Sequence, residues 1–288
     1  MDLSKWRDYL SLTKPRIGFM VLISTSMGFF LASGSIEPLP RFLFALLGTF
    51  LTVAGSAVLN NFVERELDKR MKRTAQRPLP AGRITPASAL SFGTTLVLSG
   101  TAILVGQVNL LTGFLALLSA FLYVLVYTPL KRITWLNTMV GAIPGALPPV
   151  GGWAAATGEI SLEAWLLFLI LFIWQHPHFY SIAWIYRDDY RKGGCHMLPS
   201  VDPDGERTAR HVMCFSVLLV PISILPVLIG MSGMVYGIGA IVLSCYMLRA
   251  GYRFVSALDD ASARGLLRAS LIYLPVIFLL VVADSGLV

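Results

Sequence analysis

The feature that most limits what this chain can fold into is a succession of apolar runs, each close to the length of one membrane crossing. A spanning helix needs about 20 mostly apolar residues. On that basis nine spans are expected near residues 17–32, 42–62, 87–105, 110–127, 136–155, 162–185, 212–230, 234–247 and 266–283. The breaks between them carry turn residues: Gly34-Ser35 with Pro38 and Pro40, the 78–86 stretch, Thr128-Pro129, Gly158-Glu159, 202–205 and Ser232-Gly233. Only 14% of the 288 residues are charged, against roughly 25% in an ordinary soluble domain. A soluble, disordered or disulfide-stapled chain is therefore excluded. The expected fold is all-α, a polytopic membrane helix bundle with nine transmembrane helices. Residues 1–288 read as one transmembrane domain with polar cytoplasmic loops near 64–86 and 186–211.

Charge placement orients the bundle. Four Lys/Arg precede the first span, seven follow the second, two the fourth, five the sixth and four the eighth, so that of 23 only Arg41 lies on the opposite side. This is the positive-inside pattern, with the N-terminus and the loops after even-numbered spans in the cytoplasm. Eight spans would scramble the sorting. No small-residue cleavage site follows the first span, so it reads as a retained helix. Topology and contact with anionic lipid of the bilayer account for the net charge of +7, and no nucleic-acid partner is needed. Cys195, Cys214 and Cys245 have no metal-type spacing and read as small buried hydrophobes or free thiols.

Two cytoplasmic segments are too polar to be mere connectors. The first begins inside an apolar run at Asn60-Asn61 and continues through Glu64, Arg65 and Asp68 to Arg77-Pro78. Asn60, Glu64 and Asp68 are spaced i, i+4, i+8, which stacks an amide and two carboxylates on one helix face. Such a stripe suits a hard cation, and magnesium in particular, which keeps waters and takes its remaining ligands from phosphate. The same residues also read as an amphipathic helix end with ion pairs such as Glu66–Arg70. The second segment begins at Trp174-Gln175-His176-Pro177-His178-Phe179 and runs through Tyr186-Arg187-Asp188-Asp189-Tyr190. Histidines in an apolar helix point to a site facing the bundle interior. Two residues apart, they lie on different faces, so a joint metal site is not expected. One is expected to contact a bound ligand or donate a proton while the other satisfies backbone groups freed by Pro177; a purely structural histidine is the alternative.

The first segment resembles the aspartate-rich signature of UbiA-type intramembrane prenyltransferases, in the N-N-x-x-D-R-D-x-D form of the haem O synthase (protohaem IX farnesyltransferase) subfamily. Three further stretches are similar to that subfamily. They are Tyr127-Thr128-Pro129-Leu130-Lys131-Arg132 with Thr134 and Asn137, the glycine- and proline-rich 141–152 run with Trp153, and the histidine segment with its continuation to Met197-Leu198-Pro199. Glu64 stands where the family usually has aspartate. Tyr186 and Tyr190 stand where quinone-type relatives carry their second aspartate pair, leaving Asp188 and Asp189 between them.

The resemblance implies transfer of a farnesyl group from farnesyl diphosphate to a vinyl group of haem b, with water addition, giving haem O. It implies Mg2+ as cofactor, held by Asn60, Glu64 and Asp68, and a catalytic set completed by Tyr127, Lys131 and Arg132. Substrate-binding roles fall to Asn61, Arg65, Arg77, His176, His178, Tyr186, Arg187, Asp188 and Asp189. A haem A synthase or a terminal oxidase is the implied protein partner, and the cytoplasmic (inner) membrane of a bacterium the implied location. Competing readings are a prenyltransferase acting on an aromatic or quinone precursor, and a non-catalytic haem-binding or transport protein. A transporter would place its polar groups in broken helices near the midplane, whereas here they cluster at the cytoplasmic end.

Overall fold

The computed structural model describes residues 3–285, and all their regular structure is helical. In chain order the helices are α1 (Leu3–Leu12), α2 (Pro15–Ser33), α3 (Leu39–Asp68), α4 (Pro86–Gln107), α5 (Leu110–Leu130) and α6 (Asn137–Thr157). They continue with α7 (Leu162–Ile185), a short α8 (Arg187–Gly193), α9 (Glu206–Leu228), α10 (Met234–Ala257) and α11 (Asp260–Ser285). Each of the nine expected spans corresponds to one long helix. Eight of these are long and apolar enough to cross a membrane; the ninth, α6, is of spanning length but carries three internal prolines and a polar start at Asn137-Thr138. The protein is a multi-pass membrane protein.

The helices run past the apolar stretches that announce them. α9 and α11 start earlier than expected and α10 ends later, because Arg207, Arg210, Arg249, Arg253 and Arg264 extend the helices into polar surroundings, where their long stems reach water. Likewise α3 continues through Asp68, so the first polar loop spans only 69–85. α1, which the apolar pattern did not announce, sets Leu12 and Tyr9 against Val58, Leu79, Ile84 and Ala89. Local chemistry fixes other ends. Thr85 accepts a hydrogen bond from the Ser88 amide with Pro86 in the first turn of α4, and Asn109 accepts one from the Thr112 amide at the start of α5. Near its end α5 widens into a π-helix over Leu122–Tyr127. Pro129 has no N–H to offer Leu125 and its ring opposes that carbonyl; the Thr128 hydroxyl instead donates to the Tyr123 carbonyl at 2.7 Å.

The chain divides into two compact units. One comprises residues 1–160 with 189–196, the other 161–188 with 197–288. In the first, helices meet at backbone distance. A Cβ on Gly55 would lie 2.6 Å from the Gly93 carbonyl and one on Gly100 2.5 Å from that of Gly48, which closes α3 on α4. A Cβ on Gly28 would collide with the Pro149 carbonyl, and one on Gly152 with that of Thr25, which closes α2 on α6. Without a hydrophobic force between helices in lipid, such close approach is a principal source of association. The glycine-rich run of α6 is thus a packing surface. In the second unit, α7, α9, α10 and α11 pack together with Tyr180, Tyr236 and Tyr273 fully buried. The Tyr273 and Ser223 hydroxyls meet at 2.5 Å, Tyr236 Oη donates to the Ser223 carbonyl, and Asp284 accepts the Tyr236 amide at 2.8 Å.

Candidate active site

Helical periodicity in α3 brings Asn60, Glu64 and Asp68 to one face, and all three are buried. Each meets a partner from elsewhere in the first unit. Lys14 Nζ donates to Asn60 Oδ1 at 2.8 Å, and the Asn60 amide donates to Thr128 Oγ1 at 3.0 Å. Lys131 Nζ lies 2.6 Å from Glu64 Oε1, with side-chain exposures of only 13% and 9% for the pair. Arg77 Nη1 lies 2.8 Å from Asp68 Oδ2. The other oxygen, Asp68 Oδ1, is buried with no hydrogen-bond partner. A buried carboxylate oxygen left unpaired is costly, and a cation arriving with its water shell is the natural complement to it. The donor set fits a hard cation: one amide and two carboxylate groups one turn apart, all oxygen. Among the described residues no cluster of three His, Cys, Asp or Glu side chains is assembled, so such a cation would complete its shell with water and substrate.

The cations are tuned by their surroundings. Lys14 sits between α1 and α2 in the left-handed region (φ 50°), a conformation costing a non-glycine residue roughly 1–2 kcal/mol. Burial, and after it repulsion from Arg77, pushes its pKa down to about 8. Burial alone would lower Lys131, but the Glu64 carboxylate together with Tyr127 and Tyr123 more than offsets it and holds that lysine well above its ordinary value. Lys131 Nζ stands 4.5 Å over the Tyr127 ring, which stacks on Tyr123 with centroids 5.6 Å apart. Gly141 makes room for Tyr127: a Cβ there would lie 2.5 Å from the ring. The hairpin carrying Lys131 is tied down through residue 196. The His196 amide donates to the Lys131 carbonyl at 2.6 Å, and the buried Asn137 side chain donates to the His196 and Thr134 carbonyls at 2.9 and 2.6 Å.

Several expected site residues are placed elsewhere. Asn61 spends its amide on the Ala57 and Leu12 carbonyls, anchoring α1. Arg65, one position along the helix from Glu64, turns to the opposite side, where it caps the Phe62 carbonyl, covers the Phe62 ring and approaches Glu66. Arg132 is exposed at the rim, 3.5 Å from the Val63 carbonyl. Asp189 accepts the backbone amides of Lys72 and Arg73 at 2.8 and 3.3 Å. Burial pushes the Cys195 thiol up to about 11, so it is an inert thiol, and no disulfide joins the three cysteines.

The histidines belong to the second unit and face different helices, as their spacing requires. His176 donates from Nδ1 to the Phe172 carbonyl at 2.7 Å and stacks on Phe215 of α9 at 3.7 Å. That carbonyl lies one residue before Ile173, whose carbonyl Pro177 leaves without its helical N–H donor. His178 meets the Ser270 hydroxyl of α11 at 2.8 Å through Nδ1 and stacks on Trp174. Ser270 sends its own proton to the Leu267 carbonyl, so His178 Nδ1 must be the donor and Nε2 keeps its lone pair. In the same unit Arg187 pairs with Asp260 at 2.7 Å and lies over Trp184, while Tyr186 and Asp188 are exposed.

Sequence reasoning missed Lys14 and Thr128 as site residues. Both had a signal: Lys14 is the cation directly before the first span, and Thr128 precedes the proline that breaks α5.

A bundle of apolar helices here gathers paired carboxylates, an amide and three cations at one helix end, the arrangement of a membrane-embedded enzyme. The UbiA prenyltransferase family matches over residues 21–274, and the chain belongs to that family. The protoheme IX farnesyltransferase of Solibacter usitatus (strain Ellin6076) is 46% identical over 287 residues, covering 96% of this chain and 98% of that protein. The protoheme IX farnesyltransferase of Salinibacter ruber (strain DSM 13855 / M31) is also 46% identical, over 277 residues, with the same shares covered. Among solved structures, one described for digeranylgeranylglyceryl phosphate synthase superposes with a TM-score of 0.84 at 18% identity, covering 99% of this chain and all of the other. A UbiA homolog from Archaeoglobus fulgidus bound to GPP and Mg2+ superposes with a TM-score of 0.69 at 17% identity, covering 96% and 99%. At such identities these two establish the shared fold.

Proposed function

We propose that this protein transfers a farnesyl group from farnesyl diphosphate to a vinyl group of haem b, with addition of water, giving haem O and diphosphate. The observation that carries this reading is the α3 stripe of Asn60, Glu64 and Asp68 enclosed by Lys14, Arg77 and Lys131. Three cations against two carboxylates leave a surplus positive charge, and an anionic diphosphate neutralises it. Asn60, Glu64 and Asp68 would hold Mg2+, directly or through water; when bound, the ion draws off the negative charge that develops on the leaving diphosphate. Lys131 and Arg77 then exchange their carboxylate partners for diphosphate oxygens. Fixed cations there stabilise charge without reorganisation at the moment of ionisation. The stacked Tyr123 and Tyr127 rings shield the allylic cation, each contact worth roughly 0.5–2 kcal/mol. A haem vinyl carbon forms the new C–C bond, and water captures the resulting cation and loses a proton. No protein nucleophile takes part.

Relatives nearly half identical across both units and named protoheme IX farnesyltransferases support haem as the acceptor. With the N-terminus on the cytoplasmic side of a bacterial inner membrane, the diphosphate site at the end of α3 lies on that same side. The product would pass to a haem A synthase or a terminal oxidase. Purified protein incubated with haem b, Mg2+ and farnesyl diphosphate should yield a haem heavier by one hydroxyethylfarnesyl addition. A prenylated aromatic or quinone precursor in place of a haem product would overturn the reading.

A further inference from the structure

The segment 189–196 follows α7 in the chain but belongs structurally to the first unit. Its contacts there fall on both cation-bearing pieces of the candidate site. At one end the Asp189 carboxylate accepts the amides of Lys72 and Arg73 at 2.8 and 3.3 Å, and Arg73 reaches the Tyr190 hydroxyl at 3.4 Å. In the middle, Gly193 faces Met71 so closely that a Cβ would lie 2.8 Å from Met71 Cγ. At the other end the His196 amide holds the Lys131 carbonyl, while the His196 carbonyl accepts the Asn137 side chain. The 69–77 loop that Asp189 grips also delivers Arg77 to Asp68, with the Thr74 hydroxyl donating to the Asp68 carbonyl at 3.0 Å.

We propose that Asp189 is a positioning residue and that 189–196 is a strap which holds the Arg77 loop and the Lys131 hairpin in place for the diphosphate. The two successive backbone amides form a nest, and the carboxylate seated in it fixes the turn. Such charge-assisted bonds are among the stronger ones available to a loop. With both oxygens occupied in this way, Asp189 acts through the loop and not on the metal or the substrate. The loop itself carries four trypsin-sensitive bonds, after Lys69, Arg70, Lys72 and Arg73, so its opening can be read without any turnover.

The role of the strap in catalysis rests on the prenyl-diphosphate reading above; its mechanical role does not. The test compares Asp189→Ala, Asp189→Asn and Gly193→Ala in the full-length protein, by trypsin cleavage within 69–73 in the absence of substrate and by steady-state kinetics. Removing the carboxylate should raise loop cleavage about five- to tenfold, as expected when a locally opening segment loses its strongest ties. The KM for farnesyl diphosphate should rise by a similar factor, with the KM for haem and the half-saturating Mg2+ concentration unchanged. Asp189→Asn keeps one acceptor oxygen but sets its NH2 against the second backbone amide, and should fall between wild type and Asp189→Ala in both readouts. Gly193→Ala wedges the loop away from the strap without touching a carboxylate, and should also speed cleavage; it covers the case that Asp189→Ala does not fold. An unchanged cleavage rate in Asp189→Ala and Gly193→Ala overturns the strap. So does an Asp189→Asn protein as impaired as Asp189→Ala with a shifted Mg2+ requirement, the signature of a metal ligand. If no variant and no wild-type protein turns over farnesyl diphosphate, the functional reading has failed, and the cleavage rates still decide the strap.

Discussion

Replacing Lys131 by Met separates the two tasks of the Lys131–Glu64 pair. At 2.6 Å and an effective dielectric constant of about 20, the attraction between the two charges is about 6 kcal/mol. Desolvation of both ions takes back most of that, so the pair itself adds little net stability. Removing one partner is another matter, because Glu64 is then left buried and unpaired, at a cost of about 3–5 kcal/mol. The side chains are 13% and 9% exposed, so solvent screening moves the expected loss only to the lower end, near 3 kcal/mol. Glu64→Gln should cost a similar amount by stranding Lys131. The double variant carries no stranded charge and should regain most of the lost stability. Activity should behave differently: each single variant removes a charge that the diphosphate or its cation needs, and the double removes both. Thermal unfolding in detergent and the rate of haem prenylation would be measured on the same four proteins. Recovery of stability without recovery of activity is the expected pattern. A stable Lys131→Met protein with turnover within twofold of wild type would refute the reasoning, as would a double variant whose stability loss equals the sum of the singles.

Asp68→Asn removes the charge behind the unpaired Oδ1 and should lower divalent-dependent turnover about 100-fold or more, whereas Glu64→Asp keeps a carboxylate and should be mild; full activity of Asp68→Asn, or of wild type in excess chelator, would sink the cation role. His178, whose Nε2 keeps its lone pair, should be the histidine that contacts haem. Titration of His178→Ala followed by absorbance should show haem binding weaker by about tenfold, the worth of one such contact, with binding of a non-hydrolysable farnesyl diphosphate analogue unchanged, and a normal haem spectrum in this variant would remove the assignment. Gly28→Ala drives a methyl into the Pro149 carbonyl and should cost about 1–3 kcal/mol of stability by overpacking; an unchanged melting temperature would mean that α2 and α6 are free to separate.

What the sequence made legible, and what it did not, divides along the range of the physical rule involved. The period of an α-helix relates residues within one element, and it was enough to put Asn60, Glu64 and Asp68 on one face and His176 and His178 on two. The length of an apolar run likewise located nine helices, although it misjudged their ends because arginine stems carry a helix beyond its apolar part. Periodicity says nothing about which distant cation reaches a given carboxylate. Arg65 is much nearer Asp68 in sequence than Arg77 is, but the helix holds Arg65 on another face, while a turn at 69–76 carries Arg77 back to Asp68. Lys14 is 46 residues from the amide it touches, and the packing of both α1 and α2 against α3 brings it there.

The same distinction explains why the charged pairs stand as they do. A carboxylate stripe buried at a helix end is unstable alone, because each ionised group needs a partner once water is withdrawn. Lys131 and Arg77 supply that partner in the resting protein, which lets Glu64 and Asp68 stay charged and in place. The pairing is incomplete at Asp68 Oδ1, and Lys14 adds a cation with no carboxylate of its own beyond the Asn60 amide it holds. Binding of a diphosphate with its cation therefore requires no new charge to be created or buried unpaired: the lysine and arginine turn to phosphate oxygens while the carboxylates turn to the metal. A site built only for stability would have closed both pairs and omitted Lys14, since a left-handed, half-buried lysine costs backbone strain and desolvation in return for a single hydrogen bond to Asn60.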